Sequence, residues 1–256
     1  MMCRMTAATN MIRERRRHPA RWLRDILRAD VMHGDFSAGL LPSEPDLMLM
    51  YSVPRAVVRE ALDLMRREGI IERVQGTGTM TIAQRYAVRL VEVHGVETMP
   101  AQDGVTNRVV ARERIRMPRA VARHLDEEPG TDCLLYEYIG YLHGQPIGVY
   151  TNYVRYPEAD AVSTAAFDDH WYAMLDGAGI TIGETDLLIE VLAADDDLAG
   201  LLDMTPGQPV LGLQQVIRDE SGRPYDFAIL RHRADRISLM SRAVSPTVRI
   251  PREDGR

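Results

Sequence analysis

The sequence predicts an α+β fold of two domains, a small helical domain followed by a larger antiparallel sheet. Helical spacing of apolar residues and a glycine-rich hairpin occupy residues 19–83. A helix, turn and strand pattern then occurs twice, at an offset of 77 to 78 residues. Residues 1–85 carry a net charge of +4 and residues 86–256 one of −10, which indicates two regions with different partners.

The predicted boundaries follow changes in composition along the chain. Residues 1–18 are predicted to be a flexible arm, which is either a solvated tail or an arginine-rich segment lying on phosphates. The first domain spans residues 19–83, a linker residues 84–92, and the second domain residues 93–250. Hydrophobic residues make up 45% of the chain, which is enough for two packed cores and argues against bulk disorder.

Several protein classes are disfavoured by what the sequence lacks. No apolar run approaches the ~20 residues of a membrane span, and the first residues contain no signal-peptide core, so we expect a cytoplasmic protein without a membrane partner. The two cysteines, Cys3 and Cys133, form neither a disulfide framework nor a metal site, and we expect reduced thiols. No cofactor or metal is predicted.

Three helices are predicted in the first domain. The first begins at Pro19, where apolar residues recur every three or four positions at Trp22, Leu23, Ile26, Leu27 and Val31. The second runs from Glu44 to about Met50 after a near capping box of Ser43 and Asp46, and we expect Leu47 and Met50 to face inward. The third takes Pro54 as its first residue and stops at Gly69. Its buried stripe consists of Val58, Ala61, Leu62 and Met65.

A hairpin completes this domain. Residues 70–74 and 79–82 are predicted strands around a turn that contains Gly76 and Gly78. This order is typical of a winged helix-turn-helix, whose second short helix enters the DNA major groove by its amino-terminal end. Arg55 lies at that end and can bond guanine O6 and N7, and Arg59 follows one turn later. The glycine tip of the hairpin can approach the minor groove.

Three segments of the first domain resemble the GntR family of bacterial regulators. They are Leu41-Pro42-Ser43-Glu44, Val53-x-Arg55-x-Val57-Val58-Arg59-Glu60-Ala61-Leu62, and Glu68-Gly69-Ile70-Ile71-Glu72-Arg73-x-Gln75-Gly76-x-Gly78-Thr79. The resemblance implies a homodimer that binds an inverted repeat in double-stranded operator DNA. The predicted DNA contacts are Ser43, Ser52, Arg55, Ala56, Val57, Arg59, Arg73, Gln75, Gly76 and Thr77.

This chain departs from the family pattern at several positions. The family usually has Ser or Thr where Pro54 stands, and many members have arginine where Pro45 stands. Hydroxyl-bearing residues are also frequent at the positions of Ala56 and Val57. These departures remove expected phosphate or base contacts. We expect DNA binding to persist with an altered sequence preference, since the methyl groups of Ala56 and Val57 can pack on thymine methyls.

The second domain contains an internal repeat. Leu125-Asp126-x-x-Pro129-Gly130 recurs as Leu202-Asp203-x-x-Pro206-Gly207, and Gly144-x-Pro146 recurs as Gly222-x-Pro224. Arg155 and Arg233 keep the same offset. The predicted strands are 133–141 with 146–154, and 210–218 with 224–231. Two such units predict an antiparallel sheet with pseudo-twofold symmetry and a cleft between its halves.

The repeat pattern and the closing Arg233-Ala234-Asp235-Arg236 resemble the UTRA ligand-sensing domain of the HutC-type GntR subfamily, which shares its fold with chorismate lyase. This resemblance implies that a small-molecule effector binds in the cleft. Members that bind phosphorylated sugars carry an Arg-x-Arg pair where Tyr138 and Gly140 stand, and a Ser-x-Thr loop where residues 94–96 stand. We therefore expect a non-phosphorylated effector, flat or apolar in character, because a buried phosphate needs such donors. The predicted effector contacts are His94, Tyr138, Tyr150, Asn152, Asp226 and His232.

The predicted function is that of a DNA-binding transcriptional regulator, in the common case a repressor, whose operator affinity changes when the effector binds. One alternative is a chorismate-lyase-like enzyme fused to a DNA-binding domain, although the sequence shows no catalytic triad, Cys/His pair or metal-ligand spacing. The other alternative is a DNA-binding protein that responds to no ligand.

Overall fold

The structure is a computed structural model that describes residues 18–33, 36, 39–81, 86–95, 104–167 and 170–242. It divides the chain into two compact units, residues 1–85 and 86–256. The predicted flexible arm lies outside the described residues except for His18, as do Cys3 and the end of the predicted second domain after residue 242. No helix among the described residues is long and apolar enough to cross a membrane.

The first unit has the predicted order of helices and hairpin. Helix α1 spans Pro19–His33, α2 Glu44–Tyr51 and α3 Arg55–Arg67, and strands β1 (Ile71–Val74) and β2 (Gly78–Thr81) pair antiparallel. Ser43 and Asp46 form a complete capping box at the start of α2. Pro54 is the N-cap of α3 rather than its first residue, so Arg55 begins the helix.

The core of this unit lies between the three helices and the hairpin. Leu23, Leu27 and Leu47 are fully buried, and they pack with the predicted stripe Val58, Ala61, Leu62 and Met65. Two expectations are wrong: Trp22 and Met50 are exposed. Trp22 lies one position before the buried Leu23, and Met50 lies three positions after Leu47, the buried residue of its helix. The apolar residues of each helix therefore cover a wider arc than the face that packs against the core.

The second unit is built on one six-stranded antiparallel sheet, which confirms the predicted α+β class. Its strands are β4 (Val105–Arg116), β5 (Asp132–Leu142), β6 (Gln145–Arg155), β7 (Glu184–Ala193), β8 (Pro209–Arg218) and β9 (Pro224–Arg233). They lie in the order β4-β5-β6-β9-β8-β7. Each repeat therefore supplies three neighbouring strands, and the outer strands β4 and β7 were not predicted from the sequence.

The strand register shows the pseudo-twofold symmetry directly. Thr151 of β6 pairs with Ile229 of β9, and these two residues are also related by the repeat offset of 78. The symmetry axis therefore passes through this pair at the centre of the sheet. Helices α5 (Arg119–His124) and α8 (Asp196–Leu201) precede equivalent turns, in which Asp126 and Asp203 both have left-handed φ angles, 52° and 50°.

Two buried arginines hold the equivalent turns against the sheet. Nη1 of Arg155 donates to the carbonyl of Leu125 at 3.3 Å, and Nη1 of Arg233 donates to the carbonyls of Leu202 at 2.9 Å and Asp203 at 3.0 Å. A charged donor is needed here because buried carbonyls at the end of a short helix lack backbone partners. The constant spacing of these arginines therefore has a structural cause.

One face of the sheet is covered by elements outside the repeats. Two of them are helices, α6 (Glu158–Thr164) and α7 (Trp171–Gly177). The third is a small parallel sheet of β3 (Tyr86–Arg89) and β10 (Ile237–Met240). Helix α4 (Leu90–Val93) directly follows β3 in the chain. Residues 86–92 were predicted as linker. In the structure they form a strand and a helix because β3 finds a partner about 150 residues away, a pairing that local spacing does not reveal.

Candidate DNA-reading groove and effector cavity

An open groove of about 880 Å³ runs across the first unit, and we call it the reading groove. It brings together five of the predicted DNA contacts, Ser43, Arg55, Arg59, Arg73 and Thr77. Its lining also contains Arg66, Glu44 and Asp46, so four arginines face two carboxylates. The groove is therefore basic within an otherwise mixed surface, which suits a polyanion.

The two predicted reading arginines are exposed and share one partner. The Arg55 and Arg59 side chains are 61% and 59% exposed, one helical turn apart at the start of α3. Nε of each donates to the same oxygen of Glu44, Oε2, at 2.9 Å and 3.1 Å. The pKa of Glu44 is lowered, mainly by the hydrogen bond from Arg55 and against the opposing effect of partial burial. Sequence reasoning missed Glu44 as a functional residue, although it lies in a quoted motif.

The other predicted DNA contacts lie around the groove without lining it. Ser52 ends α2 in a left-handed conformation with φ of 52°, and Ala56 and Val57 follow Arg55 on α3. Gln75 and Gly76 are exposed at the tip of the hairpin and line a smaller hollow together with Arg73. Gly76 has a φ of 84°, which explains the glycine at this turn.

The second unit contains a cavity of about 110 Å³ between the covered sheet face, helix α7 and the β3–β10 pair, and we call it the ring cavity. Four of the six predicted effector contacts line it: Tyr138, Tyr150, Asn152 and His232. These residues project from neighbouring strands β5, β6 and β9. They reach the same face because alternate residues of a strand share a face and the register aligns them.

The ring of Tyr150 lies across two glycines. Gly140 and Gly148 stand opposite each other on β5 and β6. A Cβ added at Gly140 would lie 3.0 Å from Cε2 of Tyr150, and one added at Gly148 would lie 2.9 Å from the Tyr150 hydroxyl. Only glycine leaves room for the ring at both positions. The ring stacks on Tyr138 with centroids 4.5 Å apart and planes 4° apart.

Asp226 lies on the same sheet face but outside the cavity lining. It is fully buried, and its Oδ2 accepts a hydrogen bond of 2.7 Å from Nε1 of Trp171, whose side chain does line the cavity. Among the described residues, Oδ1 has no partner. Burial raises the pKa of Asp226 to about 8, against the lowering effect of the Trp171 bond, so the carboxyl is protonated at neutral pH. Asp226 was predicted to accept hydrogen bonds from the effector; in the structure it accepts one from Trp171 and orients this cavity residue.

His94, the remaining predicted effector contact, also lies outside the lining. Its Nδ1 contacts the carbonyl of Thr185 at 3.2 Å, and the Thr185 hydroxyl donates to the His94 carbonyl at 2.9 Å. These bonds connect the end of α4 to the edge strand β7, so His94 has a structural role here.

The lining includes residues that sequence reasoning missed. Trp171 and Tyr172 come from α7, which lies between the repeats, and Gln215 comes from β8. Nε2 of Gln215 donates to the carbonyl of Val93 at 2.7 Å and lies 2.5 Å from the Tyr172 hydroxyl. The predicted strand at 210–218 could have indicated Gln215 by alternation. The sequence gives no comparable signal for α7.

Comparisons with known proteins match a family model to each of the two units. Residues 19–80 match the model of the gntR family of bacterial regulatory proteins, and residues 101–238 match the UTRA domain. An uncharacterised HTH-type transcriptional regulator of Rhizobium meliloti is 27% identical over 88% of this chain and 96% of its own length. The probable fructoselysine utilization operon repressor of Escherichia coli is 24% identical over 85% and 91%.

Solved structures share the fold. PhnF from Mycobacterium smegmatis superimposes with a TM-score of 0.59 at 18% identity, over 87% of this chain and 99% of PhnF. At this identity the likeness concerns the fold and not the ligand.

Proposed function

The chain belongs to the UTRA-domain family and joins that domain to a gntR-type DNA-binding domain, so it is a DNA-binding transcriptional regulator. We propose that it represses transcription as a cytoplasmic homodimer bound to an inverted-repeat operator. The proposed effector is a small molecule without a phosphate group. Its binding in the ring cavity lowers operator affinity.

The observation that supports operator recognition is the placement of Arg55 and Arg59. Two exposed guanidinium groups stand one turn apart at the amino-terminal end of α3, in a groove that also contains Arg73 and Thr77. A helix presented by its amino-terminal end delivers such groups to guanine edges in the major groove. A homodimer would present two such helices to the two half-sites of an inverted repeat.

The chemistry of the ring cavity supports an effector without a phosphate. Tyr138 and Gly140, which occupy the places of the Arg-x-Arg pair, both line the cavity. None of the described lining residues is an arginine, and the chain contains no lysine. A buried phosphate without such donors would be strongly destabilised.

The chain path offers a physical coupling between effector and DNA. Val88, Glu92 and Val93 line the ring cavity, and they belong to the segment that directly follows the DNA-binding unit in sequence. A ligand that contacts this segment can favour one of its conformations over another. A coupling free energy on the order of 1 to 3 kcal/mol is enough for derepression.

The first experiment is selection of bound sequences from a random DNA library with the full chain, followed by affinity measurements on the selected site. We expect an inverted repeat, bound by a dimer in sedimentation analysis. Arg55→Ala should cost about 1 to 3 kcal/mol and relax discrimination at one base pair of each half-site. Arg67→Ala removes the same charge from the exposed end of the same helix, outside the reading groove. This control should lower the affinity for all DNA sequences slightly and equally. An unselective protein, or an Arg55→Ala variant with full operator affinity, would overturn the assignment.

A further inference from the structure

The charges at the ring cavity disfavour carboxylate ligands as well as phosphates. The basic side chains in its described lining are His170 and His232, and burial lowers the pKa of His232 to about 4, so this ring is neutral. The Glu92 carboxylate also lines the cavity and is 6% exposed; it accepts the backbone N–H of Arg89 at 3.0 Å and its Nε at 2.8 Å. A carboxylate ligand would therefore meet no arginine in the described lining, while the nearby Arg89 is already engaged by Glu92.

One wall of the cavity is a stack of aromatic rings. The rings of Tyr150, Tyr138 and Trp171 are nearly parallel, with planes 4° and 14° apart. Planar rings bind such walls by stacking or edge contact. A cavity of about 110 Å³ has the size that accepts a single aromatic ring.

Two polar side chains stand at opposite ends of this wall. Asn152 is 3% exposed, and within the described part of the chain no hydrogen bond to its amide is found. His232 is 8% exposed and makes one long contact, from Nδ1 to the Tyr150 hydroxyl at 3.4 Å, which leaves Nε2 for a ligand. Because His232 pairs with Gly148, it lies four residues along the sheet from Asn152, about 13 Å between backbones. The Asn152 amide faces the cavity, so a ligand with matching donor and acceptor atoms can bond it there.

We infer that the effector is an uncharged, planar, single-ring compound that exchanges hydrogen bonds with Asn152 through an amide-like group and meets His232 through a second polar atom. This inference rests on the proposed function and narrows its ligand class. Nicotinamide has this chemistry, and nicotinate is its anionic counterpart of the same shape, so the two form a matched pair of probes.

Calorimetric titration of the full chain tests the inference with nicotinamide, nicotinate and glucose 6-phosphate. We expect nicotinamide to bind at least tenfold more tightly than either anion. Asn152→Leu should lower the affinity for nicotinamide at least tenfold. Thr151→Val, on the opposite face of the same strand, should leave this affinity unchanged. Tighter binding of an anion, binding of none of the probes, or no effect of Asn152→Leu would overturn the inference. Operator binding by the wild-type chain is measured in parallel. If the wild-type chain binds no operator, the proposed function is overturned instead.

The reading groove carries a second, independent inference. Glu44 accepts hydrogen bonds from the Nε–H groups of both Arg55 and Arg59. The terminal Nη groups of each guanidinium therefore stay available for a base edge. Holding both side chains in one arrangement reduces the entropy lost on binding. The same carboxylate adds negative charge beside the DNA phosphates, which weakens binding to every sequence. We propose that Glu44 is a positioning residue that increases discrimination between sequences by orienting both arginines.

Glu44→Gln separates these two effects. Operator affinity should fall about three- to tenfold, while affinity for DNA of random sequence should rise about twofold. Glu60→Gln removes the same charge from an exposed site on α3 outside the reading groove, so both of its affinities should rise slightly. The inference is wrong if Glu44→Gln raises both affinities as Glu60→Gln does. It is also wrong if both affinities fall while the melting temperature is unchanged.

Discussion

The two repeats of the sheet domain agree where they build the scaffold and differ where they face the ring cavity. Leu125 and Leu202, Gly130 and Gly207, and Arg155 and Arg233 are identical pairs with the same structural roles. On the covered face of β6 and β9, all related pairs differ within the segments that pair with each other, residues 148–154 and 226–232. The pairs are Gly148 and Asp226, Tyr150 and Ala228, Asn152 and Leu230, and Val154 and His232.

This difference follows from the position of the symmetry axis. The axis passes through Thr151 and Ile229, so both copies of each position lie close together on one sheet face, where Tyr150, Asn152, Leu230 and His232 line the cavity. Two tyrosines or two asparagines would compete for the same space, whereas one large and one small residue can interlock. The repeat therefore supplies a symmetric frame, and the cavity gains its chemistry from the positions at which the copies have diverged.

The largest expected effect tests the shared scaffold. Arg233→Ala should lower the free energy of unfolding by about 3 kcal/mol, because it removes a buried charged donor from the buried carbonyl of Leu202 and from the partly buried carbonyl of Asp203. Arg155→Ala should cost less, about 2 kcal/mol, since its bond to Leu125 is longer, at 3.3 Å. Urea unfolding of the full chain, followed by Trp171 fluorescence in a Trp22→Phe background, measures both. A larger loss from Arg155→Ala would contradict the ranking.

The second effect belongs to one repeat only. The unfolding free energy should decrease by roughly 2 kcal/mol from pH 6.5 to pH 8, because the unfolded chain ionises Asp226 throughout this range while the folded chain keeps its proton until about pH 8. The stability that Asp226 contributes is thus present at low pH and lost as the pH rises. Its counterpart Gly148 cannot titrate. In Asp226→Asn, which still accepts from Trp171, this part of the pH dependence should disappear.

The window above pH 6.5 keeps a second group out of the measurement. Burial lowers the pKa of His232 to about 4, so its contribution is present above pH 6.5 and is lost as the pH falls towards 4. The opposite slopes of the two groups offset each other between about pH 4 and 6.5, and above pH 6.5 the slope of Asp226 remains. An Asp226→Asn chain whose stability still falls as steeply above pH 6.5 would show that another group titrates.

A smaller effect is expected where the first repeat makes room for Tyr150. Gly148→Ala should cost about 1 kcal/mol, since the new Cβ would lie 2.9 Å from both the Tyr150 hydroxyl and Nδ1 of His232. The displaced ring should also weaken ligand binding in the cavity. Gly200→Ala, in open space on α8, should instead stabilise by about 0.5 kcal/mol. Equal melting temperatures for the two variants would exclude the predicted clash.

The smallest effect concerns the outer strands, where the repeats carry ion pairs of reversed order. Arg114 of β4 pairs with Asp132 of β5, and Asp186 of β7 pairs with Arg218 of β8. Exposed pairs of this kind contribute little because water screens them. Asp132→Asn and Asp186→Asn should each shift the melting temperature by less than about 2 °C. A larger shift in either would reveal that this edge is packed in the assembled protein.

The sequence alone determined the order of the main elements and the presence of the repeat. Apolar spacing located α1, α2 and α3, and turn residues located the hairpin, because these signals act between residues close in the chain. The exposure of Arg55 and Arg59 follows from their position beside the buried stripe of α3. The predicted strands contain Tyr138, Tyr150 and Asn152, whereas His232 lies one residue beyond the predicted strand 224–231. The register that places all four on one sheet face came from the structure.

Only the tertiary structure decided what closes the cavity and which carboxylates matter. The pairing of β3 with β10, the approach of Trp171 to Asp226 and the shared contact of Glu44 with two arginines all join residues distant in the chain. Such contacts depend on how completed elements pack, and local periodicity carries no record of that packing. The charge state of Asp226 depends in turn on its burial, which exists only in the folded chain.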